Sequence, residues 1–447
     1  MDLFSTLFLS RIKFAFTVGF HILFPTITIG LVVYLFILEL LWLRTKNPAY
    51  SKLFRLFSKI FALSFGMGVV TGIPMSFQFA TNWGPFSVAT TNVIGPLLGF
   101  EVLSAFFLEA TFLGIMVFGW GKVKPSIHLF STAMVTLGTS LSAYWIIAVN
   151  AWMQHPVGTT LVDGIFYVKD WSEILLNETL FFHLAHMLGA SYITTAFVIM
   201  GILSIFLFKK TDVKIILPGF KVALTCALIL GPVQFLLGHA HGVHTGKTQP
   251  TKLAAMEAHW ESEKEAPMVL FAWPDMENEK NLYEIKIPKI ASWYLTGSTQ
   301  GVVHGLKEAK KEDRPYVPLV FFSFRLMVGI GVLFILLSLA GGFLWLRGRL
   351  EHVRWYYAVL PLCIPLGFIA TIAGWIVTEV GRQPWIIQGL MRTTNGASLS
   401  LPPEAIRSSL AAFGVTFLIV FIVYIISIVN VIRKGVSEDM PAMQRGL

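Results

Sequence analysis

Charge is what this sequence has least of. Only 13% of its 447 residues are Asp, Glu, Lys or Arg, against 55% hydrophobic, whereas a soluble surface needs about twice that charge. An ordinary soluble domain is excluded. Cysteine is nearly missing too: Cys226 and Cys363 lie in separate apolar runs. There is therefore no disulfide framework, and without a Cys-x-x-Cys-His there is no covalently attached haem. Internal repeats and low-complexity tracts are missing, and no soluble domain can be separated. The first apolar stretch is too long for a secretory signal and lacks a small-residue cleavage site, so no cleavable leader is expected.

Long apolar runs are what the chain has instead. Nine of them reach the roughly 20 residues that a membrane-crossing helix requires, near residues 14–42, 53–80, 94–119, 127–153, 179–208, 214–238, 317–346, 355–380 and 404–432. The expected fold is all-α: a polytopic bundle of nine transmembrane helices. The net charge of +9 does not point to nucleic acid, because the basic residues cluster in short connections. Arg44, Lys46, Lys52 and Arg55 follow the first span, Lys122 and Lys124 the third, Lys209, Lys210 and Lys214 the fifth, Arg347, Arg349 and Arg354 the seventh, Arg433 and Lys434 the ninth. The positive-inside rule makes these connections cytoplasmic, which puts the N-terminus outside and the C-terminus inside. The chain then divides into residues 1–238 with spans one to six, an extracytoplasmic segment 239–316, and residues 317–447 with spans seven to nine and a cytoplasmic tail.

Polar residues inside the spans gather toward one leaflet. His21, Glu101, His183, His186, Arg325, Met327, Glu379 and Arg382 all fall in the outer half of their spans. An ionisable group there costs several kcal/mol or more unless it is partnered. Glu379, in GWIVTEVGRQPW, must be paired with Arg382, protonated or bound to a metal. His186 and Met327 suit axial ligation of a non-covalent haem, against the plainer alternatives of a capped interfacial histidine and a packing methionine. Arg325 and Arg382 carry guanidinium forks that match carboxylates, or else anchor at the headgroup level. Glu101 and Glu109, eight residues apart, sit about 12 Å apart along a helix and suit a proton relay, with Ser140 and Ser142 placed to face Glu109. His239, His241 and His244 have no zinc-like spacing and read as part of a polar loop. Further along the 239–316 segment, TKLAAMEAHW has Leu253, Met256 and Trp260 at helical spacing.

These residues in their contexts resemble subunit I of the cytochrome bd quinol oxidases. The match runs through RIKFAFTVGFHILFP, FQFATNW, EVLSAFFLEATF, AVNAWMQHP, HMLGASY, KLAAMEAHWE, FFSFRLMVGIG and GWIVTEVGRQPW, and covers nearly the whole chain. The resemblance implies a terminal respiratory oxidase that oxidises membrane quinol at the outer face and reduces O2 to water with cytoplasmic protons. It implies a low-spin haem b held by His186 and Met327, and two high-spin haems served by His21 and Glu379, one haem b and the other haem d or haem b in its place. Trp375 would lie between haems, and Arg325 and Arg382 would contact propionates or tune the low-spin haem. Lys252 and Glu257 would line the quinol site in the 239–316 segment, which is the family's Q loop in a short form. Glu101 and Glu109 would carry protons. The implied partners are subunit II and a small single-span accessory subunit, and the implied location is the bacterial cytoplasmic membrane. Ser76, in PMSFQF, stands where some relatives carry an acid.

Two other readings are open to the sequence. A di-haem quinone-linked electron carrier would need His/His pairs in both leaflets, and the cytoplasmic half offers only His128. A proton-coupled transporter would need helices interrupted at corresponding places in two repeats, which the sequence lacks.

Overall fold

The computed structural model describes residues 5–436; the C-terminal part of the expected cytoplasmic tail lies outside the described residues. Among the described residues nine helices are long and apolar enough to cross a membrane. They are Thr6–Thr45, Pro48–Thr81, Gly84–Phe118, Pro125–Gln154, Glu178–Phe208, Val213–Thr248, Val317–Leu346, Arg354–Val380 and Pro403–Lys434, taken below as spans one to nine. Local chemistry sets several starts. Asn47 and Asn177 cap spans two and five by accepting from the backbone N–H groups of Ala49 and Thr179, and a proline opens spans two and four inside the first turn, where its missing N–H costs nothing.

Span five is the centre of the bundle, with 78% of its most apolar window buried, whereas span nine has 6% and faces outward. The main core joins spans one, two, five and six through residues such as Leu35, Phe57, Phe197 and Phe220, and reaches Phe334 and Tyr356. Span three is interrupted by a π-helical stretch, Glu101–Phe106.

Connections that alternate along the chain place the N-terminal ends of the odd spans beside the C-terminal ends of the even ones. At that end lies the long segment between spans six and seven. It contains a short helix, Pro250–Glu257, a hairpin of Met268–Asp275 against Lys280–Ile287, and a second short helix, Ile290–Thr296. Met256 and Trp260 pack with Val317, Val320 and Phe321 of span seven and Val377 of span eight, so the segment is fastened to the bundle by an apolar seam. The helix itself stops at Glu257 with Ala258 in the left-handed region, so Trp260 joins that seam from beyond it.

Span six departs from expectation. It does not end near residue 238; it runs on to Thr248, so His239, His241 and His244 lie on a helix and not in a loop. The apolar run does end there, but the helix continues because its extra turns pack against the start of span five.

Candidate functional site

Glu379 sits near the end of span eight with both carboxylate oxygens engaged. Asn150 Nδ2 donates to Oε1 at 2.7 Å and Gln154 Nε2 to the same atom at 3.2 Å. Arg382 Nη2 donates to Oε2. Asn150 and Gln154 are four residues apart and so share one face of span four. Arg382 is buried, and its Nε and Nη1 have no protein partner. Burial pulls its guanidinium below the ordinary arginine value, an effect that Glu379 opposes.

Gln154 links this pair to Lys252. Its Oε1 accepts from Lys252 Nζ at 2.5 Å and from Gln249 Nε2 at 3.0 Å. Lys252 is buried, and burial, with Arg382 adding to it and Glu379 opposing, pulls its ammonium down to about 7. A cavity of about 250 Å³ opens beside these groups, lined by Gln249, Lys252, Gly381, Arg382 and Trp385 among others. On the other side of the same short helix, Glu257 is buried and receives Arg325 Nη2 at 2.6 Å. Arg325 also donates to the Val269 carbonyl through Nε at 2.9 Å and lies over the rings of Phe321 and Phe324. Tyr294 bonds Glu257, and burial together with that carboxylate raises the phenol well above its ordinary value, keeping it protonated.

Three candidate ligands lie against a glycine of a neighbouring span. A Cβ built on Gly72 would stand 3.3 Å from His21 Cε1, one on Gly238 3.3 Å from His186 Cε1, and one on Gly374 3.0 Å from Met327 Sδ. His21 Nδ1 lies 3.0 Å from the Thr71 hydroxyl, which itself donates to the Met67 carbonyl at 2.8 Å. Where the hydroxyl proton stays on that carbonyl, Nδ1 is the donor and Nε2 keeps its lone pair. His186 Nδ1 is buried with no partner, and the backbone carbonyl of His186 accepts from Gln234 Nε2 at 2.9 Å. The ring of His241 meets that of His186 at 5.5 Å and that of His183 at 4.7 Å. His244 Nε2 and the Thr179 hydroxyl are 2.8 Å apart. Trp375 packs with Ile147, Leu180, Leu184 and Met187.

The two glutamates of span three both face span four. Ser142 donates to Glu101 Oε1 at 2.9 Å, and the Glu109 side chain fills the space over Gly138, one turn away. In a regular helix eight residues sweep about 800°, which would turn the two carboxylates roughly 80° apart. The π-helical stretch takes up one residue, so the same eight sweep close to two full turns. Ser140 does not face Glu109 as expected; its hydroxyl donates to the Thr136 carbonyl at 2.9 Å.

Sequence reading overlooked Asn150, Gln154, Gln249 and Tyr294 as members of the site. The first two carry a usable signal, two amides one turn apart at the end of an apolar span. The other two are recognisable only once the 249–316 segment is folded back on the bundle.

Fold and site together define an integral-membrane protein whose imidazole, thioether, guanidinium and carboxylate groups converge at one end of a helical bundle. The chain belongs to the family of cytochrome bd terminal oxidase subunit I, whose model matches residues 9–436. It is 37% identical over 445 residues to a cytochrome bd ubiquinol oxidase subunit 1 of Bacillus subtilis, covering 97% of this chain and 95% of the relative. It is 31% identical to the cytochrome bd-II ubiquinol oxidase subunit 1 of Escherichia coli, covering 98% and 99%. The bd oxidase structure from Geobacillus thermodenitrificans superposes with a TM-score of 0.90 at 30% identity, covering 97% of this chain and all of that one.

Proposed function

We propose that this chain is the haem-bearing subunit of a quinol:O2 oxidoreductase in the bacterial cytoplasmic membrane. In this reading the end of the bundle with the 249–316 segment faces outward, quinol is oxidised there, and O2 is reduced to water with protons drawn from the cytoplasm. Family membership supports it. So does the donor set: His186 Nδ1 and Arg382 Nε and Nη1 are buried without partners, a cost of about 1–3 kcal/mol each or more for the charged group. A haem with its carboxylates would satisfy such atoms.

In this reading His186 and Met327 hold a low-spin haem b, while His21 and Glu379 hold two high-spin haems, one b and one d or b. Bound haem supplies the electron carrier and the oxygen-binding iron. The protein supplies the rest. Arg382 offers its free N–H groups to propionates while neutralising Glu379. Arg325 is committed to Glu257 and the Val269 carbonyl, so its part is to fix the carboxylate that accepts a quinol proton, and through Met327, two residues on, to tune the low-spin haem. Lys252 donates to a quinone oxygen. Glu101 and Glu109 pass protons toward the oxygen side, each moving against about 2.3 kcal/mol per 100 mV of membrane potential. Energy is thereby conserved without a pump. A second large subunit, subunit II, completes the enzyme, with a small single-span chain beside it.

A reduced-minus-oxidised absorption spectrum of the purified complex, with quinol-driven oxygen consumption, tests this. Low-spin and high-spin haem signals with oxygen uptake are expected. Low-spin b signals alone would favour the di-haem carrier, and no haem the transporter.

A further inference from the structure

At the end of the bundle away from the 249–316 segment, a second buried constellation has no part in the site above. Glu39 of span one and His128 of span four are both fully buried, with Nδ1 2.7 Å from Oε1. The Thr132 hydroxyl donates to the other carboxylate oxygen at 2.6 Å. Both carboxylate oxygens of Glu39 are thereby engaged. His128 Nε2 is buried with no partner, and so is the Nε1–H of Trp120, whose ring stands edge-on to the imidazole at 5.0 Å. One is an acceptor and the other a donor, as a bridging water requires. The groups facing His128 are Glu39 from span one, Phe54 from span two and Trp120, with Arg55 lying over the Trp120 ring.

From His128 onward, span four has an unusual composition for a buried helix face. His128, Ser131, Thr132, Val135, Gly138 and Thr139 are its buried residues as far as the half-buried Ser142, and Val135 is the one aliphatic side chain among them before Ala143. The face that would ordinarily carry leucines carries hydroxyls, and it ends on Glu109 over Gly138 and on Glu101 at Ser142. From His128 to Gly138 is a rise of about 15 Å, and to Ser142 about 21 Å.

We propose that the Glu39–His128 pair is the proton-loading point of the relay, taking protons at the basic, cytoplasmic end and delivering them along the polar face of span four to Glu109 and Glu101. The inference rests on the reading of those two glutamates as proton carriers. His128 takes one proton from water at Nε2, becoming an imidazolium balanced by the Glu39 carboxylate. It then releases one proton to water ordered along the span-four hydroxyls, so the pair alternates between a charge of −1 and 0. Glu39 makes loading possible by offsetting the charge on a fully buried ring. Trp120 covers the ring from the connection after span three.

The test uses the complete, haem-loaded enzyme carrying His128→Gln, which still donates to Glu39 but cannot take up a proton, or Glu39→Gln. Quinol-driven oxygen consumption is expected to fall tenfold or more in each, with the haem spectrum and haem-to-protein ratio unchanged and a larger solvent deuterium isotope effect. Glu109→Gln is measured alongside. If Glu109→Gln slows turnover while both new variants run at the parent rate and isotope effect, the inference is overturned and the role of Glu109 stands. If Glu109→Gln also runs at the parent rate, the relay itself is wrong and the inference falls with it. Loss of haem or of the assembled complex in both His128→Gln and Glu39→Gln makes the pair a structural lock and overturns the inference as well.

Discussion

Lys252 and Glu257 stand five residues apart on one short helix yet meet opposite surroundings. Lys252 faces Gln154 and the Arg382–Glu379 pair; Glu257 faces Arg325 and Tyr294. A quinol bound beside that helix would meet a donor and an acceptor. Losing a charge-assisted hydrogen bond costs about 1.5–3 kcal/mol, so Lys252→Ala is expected to raise the quinol KM about tenfold or more and leave the haem spectrum alone. Because burial has brought the ammonium down to about 7, it is a cation below that pH and neutral above. The parent KM should therefore rise as pH climbs through 7, and the variant should lose that dependence. A KM unchanged by the substitution would remove Lys252 from the quinol site. At this scale the sequence was informative where a charge stood in an apolar run, as with Glu379 and Arg382. It was silent where the partner was an amide or a tyrosine, because Gln154 and Tyr294 do not look costly until they are buried against a charge.

Helices were readable because twenty apolar residues in a row have few other folds available in lipid. Their ends were less so. Span six continues through GHAHGVHTGKT because its last turns pack against span five, where Phe182 and Thr179 meet His244, and hydropathy carries no trace of that packing. The π-helical stretch of span three was equally hidden, since EVLSAF has the composition of ordinary helix. Yet that stretch decides whether Glu101 and Glu109 share a face. The glycines opposite the candidate ligands belong to this scale too. Gly374→Ala would bring a methyl group 3.0 Å from Met327 Sδ, tighter than ordinary van der Waals contact at about 3.5–4 Å. The variant should assemble and keep its haem content, but shift the low-spin haem absorption and midpoint potential. A spectrum and potential identical to the parent would show that Met327 is free to move and is no ligand.

For the molecule as a whole, the polar groups divide between the two ends of the bundle. The end with the 249–316 segment holds His21, His186, Met327, Glu379, Arg382, Lys252 and Glu257, while the other holds Glu39 and His128, with span four running between them. In the proposed enzyme that separation would let a redox site near one surface draw protons from the other. The bundle and its number of spans follow from composition. The proton-loading pair does not, because Glu39 and His128 are 89 residues apart and meet only when spans one and four pack. In the proposed enzyme, haem is gripped at the loop end by His186 and Met327. Haem-to-protein ratio and reduced-minus-oxidised spectra of the purified His186→Ala, Met327→Ala double variant test it most directly. Loss of the low-spin b signal with the high-spin haems retained is expected; a full haem complement with the parent spectrum would rule out ligation by these two residues.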